Sequence, residues 1–75
     1  MASFDAAKFV ADIEALGADL RVVDTMDGRP PEIRRSYRGA NPPMAQINAA
    51  WDNAMISPER YRAVVEFLRK RQDHR

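Results

Sequence analysis

The chain contains no cysteine and one histidine, His74, at position 74 of 75 residues. The lack of cysteine excludes disulfides and thiolate zinc sites, and it fits a reducing compartment, so a cytoplasmic location is expected. A lone histidine at the chain end leaves no base for a serine nucleophile to share, so no catalytic residues are expected and the protein reads as non-enzymatic. Only three glycines are present, and they form no phosphate-cradling loop. No apolar run approaches the ~20 residues that span a bilayer. The segment from Met1 to Lys8 is neither basic nor continuously apolar, so no signal peptide is expected. Neither a metal nor a cofactor is implied.

What is present is charge, unevenly placed. Residues 1–28 carry six acidic side chains against Lys8 and Arg21, whereas residues 29–75 carry ten basic against five acidic. The formal net charge of +1 conceals this polarity. Such a split suits a partner of opposite charge or a second copy of the chain. With 45% hydrophobic residues the chain has enough apolar content to fold. Its length allows one domain, 1–75, and a domain this small buries only about 60% of the surface its unfolded chain exposes. With disulfides and metals excluded, a homodimer is the remaining means of adding buried surface.

The hydrophobic periodicity predicts five elements. Ser3 is placed as an N-cap, with Asp5 in the first turn, ahead of Phe9, Val10, Ile13 and Leu16 at helical spacing; Gly17 then ends a helix over about 4–16. Lys8, Asp12 and Glu14 are expected to face water. Leu20 to Val23 and Ile33 to Arg38 read as strands of a hairpin over about 20–38, joined through Asp27-Gly28 and Pro30-Pro31. Along the second strand Ile33, Arg35 and Tyr37 share one face, and Arg34, Ser36 and Arg38 the other. A lone hairpin is barely stable in water, so Leu20, Val22, Ile33 and Tyr37 are expected to pack inward on helices. Asn41 and the prolines after it suit the start of a helix over about 43–54, with Met44, Ile47, Trp51 and Ala54 or Met55 as its stripe. Ser57-Pro58-Glu59 is a strong start signal for a helix over about 58–72 carrying Tyr61, Val64, Val65 and Leu68. The expected fold is a small α+β domain of order α-β-β-α-α, a two-stranded antiparallel hairpin packed on three helices.

Five arginines lie on or beside the hairpin: Arg21, Arg29, Arg34, Arg35 and Arg38. Guanidinium forks pair bidentately with carboxylates, and a free sheet edge can accept an extended peptide. The plainer reading is that these charges guard the edges against aggregation. The basic stretch Arg69-Lys70-Arg71, with Arg75, could meet nucleic-acid phosphates or could be a solvated helix terminus suited to the dipole. Trp51 and Tyr61 are either core or anchors of an interface. Met26, Met44 and Met55 are either an adaptable surface or, for the latter two, core. Asp24 and Asp27 are close enough to suggest a cation, but two acids in a loop are better read as turn residues bonding their own backbone.

Ile13-Glu14-Ala15-Leu16-Gly17 followed by Leu20, and Ser57-Pro58-Glu59 leading to Leu68, resemble the pattern of the small N-terminal docking domains of the TubC type. Those domains precede modules of hybrid polyketide and nonribosomal peptide synthetases. The resemblance implies a dimeric docking module whose hairpin receives a short charged tail of another protein. On it, Arg21, Arg34, Arg35 and Arg38 would contact an acidic segment. Two other classes stay open: a small nucleic-acid-binding regulator using the basic C-terminal helix, and a stand-alone inhibitor of a larger enzyme.

Overall fold

The computed structural model of the chain describes residues 4–25 and 27–73. Within them, three helices and one hairpin follow in the expected order: α1 (Ala6–Ala15), β1 (Ala18–Val23), β2 (Glu32–Tyr37), α2 (Met44–Ala54) and α3 (Pro58–Asp73). The fold is a small α+β domain. No described helix is long and apolar enough to cross a membrane.

Helix α1 begins two residues later than expected. Its N-cap is Asp5, whose carboxylate accepts a hydrogen bond from the Lys8 amide at 3.1 Å. Ser3, Met26, His74 and Arg75, each given a role in the sequence reading, lie outside the described residues. The other end of α1 is as expected: Gly17 has φ +100°, a conformation open to glycine at little steric cost, and its amide donates to the Glu14 carbonyl at 3.0 Å. Helix α2 starts without a side-chain cap; Pro43 occupies the N-cap position, and Asn41 does not serve. Helix α3 starts as its sequence predicts, with the Ser57 hydroxyl accepting from the Arg60 amide at 3.3 Å.

The strands pair antiparallel with Leu20 opposite Arg35, Arg21 opposite Arg34 and Val22 opposite Ile33. Ala18, Leu20 and Val22 are buried against the helices with Phe9, Val10, Ile13, Ile47, Ala54, Val64, Val65 and Leu68. Ile13, Ile47, Val64 and Leu68 are fully enclosed, one or two from each helix, so the core sits where the three helices meet under β1. Strand β2 contributes less. Ile33 is only partly buried, and Tyr37, expected to point into the core, is 37% exposed at the open end of the hairpin. Met44, Met55, Trp51 and Tyr61 all pack against the core while remaining partly accessible.

Candidate functional site: the arginine-bearing hairpin

Backbone pairing fixes what each hairpin residue presents. The Arg38 amide donates to the Gly17 carbonyl at 2.8 Å. Bonded and non-bonded pairs alternate along an antiparallel ladder, so Asp19, Arg21 and Val23 bond to Ser36, Arg34 and Glu32. The residues between them, Ala18, Leu20 and Val22 on β1 and Ile33, Arg35 and Tyr37 on β2, turn their N–H and C=O groups away from the partner strand. The hairpin therefore has two outer edges with different neighbours. On β1 the Gln72 side chain from the last turn of α3 occupies Val22: its Oε1 accepts from the Val22 amide at 2.8 Å and its Nε2 donates to the Val22 carbonyl at 3.4 Å. On β2 no hydrogen bond from outside the hairpin reaches the backbone of Ile33, Arg35 or Tyr37 among the described residues.

The four arginines proposed to bind a partner fall into two groups. Arg21 and Arg34 stand directly opposite one another on the face turned away from the helices, and both are exposed. The two residues form a backbone hydrogen-bonded pair, which sets their Cα atoms about 5.5 Å apart. Arg34 lies 4.0 Å from Glu32 on its own strand, a contact too exposed to hold it. Among the described residues Arg21 has no carboxylate partner.

Arg35 and Arg38 are held by the domain itself. Arg35 shares the inner face with Leu20; its guanidinium lies 4.9 Å from the Trp51 ring centroid and donates to Asn48 Oδ1 at 3.1 Å. Strand alternation assigns Arg35 to the face of Ile33, and the fold turns that face toward α2. Arg38 donates to the Glu14 carbonyl at the end of α1 and stands 3.5 Å from Asp19. It adds a second donor to the Glu14 carbonyl, which the Gly17 amide already meets, and its charge suits the dipole at that helix end. Arg29, beside the hairpin, pairs with Asp27 at 2.8 Å.

The charge split is largely resolved within the chain. Arg71 makes a bidentate pair with Glu14, at 3.1 and 3.0 Å, and Arg69 reaches Asp24 at 2.7 Å. Asp24 and Asp27 thus serve as arginine partners. Of the basic stretch in α3, Lys70 alone among the described residues is left without an ion pair. Trp51 packs against Phe9, with ring centroids 6.0 Å apart, and Tyr61 donates its hydroxyl to the Pro31 carbonyl at 2.9 Å, tying α3 to the start of β2.

Sequence reasoning missed Gln72, Asn48 and the ion-pairing of Glu14. A polar residue near a helix end carries no local mark of the strand it will meet. Comparison with protein-family models, with curated proteins and with solved structures finds no match.

Proposed function

We propose that this domain is a non-enzymatic protein-interaction module that docks an extended acidic segment of another protein on its hairpin. The observation that carries the reading is Arg21 set directly opposite Arg34 on the open face. Like charges facing each other across a ladder destabilise it, and an incoming carboxylate removes the penalty. The outer edge of β2 supplies the rest: the N–H and C=O groups of Ile33, Arg35 and Tyr37 can pair with a third strand, whose outward carboxylates then lie beside Arg34. This reading agrees with the docking-domain resemblance of the sequence. A homodimer and a cytoplasmic setting belong to the same proposal; Ile56, 74% exposed at the turn between α2 and α3, is the apolar side chain on which a second copy would seat.

The nucleic-acid alternative has less support, because Arg69 and Arg71 are committed to Asp24 and Glu14. The test is titration with a synthetic peptide alternating valine with aspartate, against a control alternating valine with lysine. Binding of the aspartate peptide alone, lost by more than about ten-fold in Arg34→Glu with an unchanged circular dichroism spectrum, supports the reading. Equal affinity of wild type and variant removes the site.

A further inference from the structure

The two bonds between Gln72 and Val22 have the donor–acceptor pattern that one residue of a neighbouring strand would supply. A primary amide can turn one of its N–H groups and its C=O to the same side, as the N–H and C=O of one strand residue do. Next to this contact the backbone of Leu20 also points outward, and no other group bonds to it among the described residues. An open cavity of about 570 Å³ lies there, bounded by Leu20, Arg21, Arg71 and Gln72. Of its two arginines Arg71 is paired with Glu14, and Arg21 has no carboxylate partner among the described residues.

We infer that the β1 edge is a second, gated site for an extended acidic segment, with Gln72 as the gate. The inference rests on the docking reading for its ligand class and adds a site to it. The structural basis is an asymmetry. Both edges of the hairpin carry outward-facing amides, but β2 is open whereas β1 is satisfied at one residue by a side chain that a strand must displace. A segment entering on β1 would replace the Gln72 amide at Val22, take up the free groups of Leu20 and set a carboxylate on Arg21. Because the displaced bonds must be broken first, the β1 edge fills after the β2 edge. In the unbound domain the same amide keeps β1 from pairing with other chains, a hazard of uncovered edges.

Gln72→Met keeps the stem of the side chain and removes the amide. The experiment follows backbone amide resonances while the valine–aspartate peptide is added to wild type and to Gln72→Met. In wild type, Ile33, Arg35 and Tyr37 should respond first, and Leu20 and Val22 only at about ten-fold higher peptide. In Gln72→Met the Leu20 and Val22 response should move about ten-fold lower, as expected for removing two competing hydrogen bonds. Adding Arg21→Glu to that variant should abolish it. Response of the β2 residues with silent Leu20 and Val22 in Gln72→Met overturns the gated site and leaves the docking reading intact. Response at β1 alone upholds the gated site and overturns the β2 edge. Silence at both edges overturns both proposals. Should Gln72→Met unfold, wild type alone decides, because Leu20 and Val22 must still respond late.

Discussion

The guanidinium of Arg35 lies over the indole of Trp51, 4.9 Å from its centroid, and closes the outer side of the only tryptophan in the chain. A residue that reads in sequence as a charged contact for a partner is thereby a lid on the core. Cation–π contacts of this exposure are worth about 0.5–1 kcal/mol, and the arginine stem adds buried surface. Arg35→Ala should lower stability by about 1 kcal/mol in urea unfolding, with a shift in tryptophan emission as the indole meets water. Arg35→Lys should recover only part of the loss, since an ammonium lacks the planar face that stacks on the ring. Unchanged stability in Arg35→Ala would return the residue to the list of free cations.

Arg38 should separate from Arg34 in the same way. Its guanidinium completes the end of α1, so Arg38→Ala should cost about 1 kcal/mol and speed amide exchange at Leu16 and Gly17. Affinity for the valine–aspartate peptide should stay within about two-fold of wild type, because the lost charge is already opposed by Asp19. A large loss of affinity without loss of stability would show that Arg38 meets the ligand directly.

Arg21 should show opposite effects on stability and binding. Replacing it with glutamate turns a like-charge pair with Arg34 into an opposite-charge pair, so Arg21→Glu should stabilise the domain by about 0.5 kcal/mol. The same change should weaken the peptide by about ten-fold, because it neutralises the field that attracts carboxylates. Thermal unfolding and calorimetric titration of one preparation check both signs. If stability and affinity fall together, Arg21 is a structural residue and the pair does not mark a site.

The order of elements, their faces and most helix ends were legible in the residues alone. A period near four in Phe9, Val10 and Ile13, alternation in Ile33, Arg35 and Tyr37, and Ser57 before Pro58 are local signals, set by backbone geometry within a few residues. Tyr37 departs from its pattern because alternation assigns a face but does not say whether a helix lies beneath it. The cap of α1 moved from Ser3 to Asp5 because both residues can accept the same kind of bond, and the sequence does not rank them.

Which arginines are free was decided only by the tertiary structure. Arg71 and Glu14 are 57 positions apart, Arg69 and Asp24 are 45, and Gln72 and Val22 are 50. Such pairs exist only once α3 lies against β1 and the end of α1, and no periodicity records that packing. The sequence by itself determined a hairpin on helices and an acidic first third beside a basic remainder. Folding brought those charges together and neutralised much of the contrast. It left Arg21 and Arg34 on the open face because strand pairing, which is blind to charge, set them opposite each other, where among the described residues the one carboxylate paired with either is the exposed Glu32, 4.0 Å from Arg34.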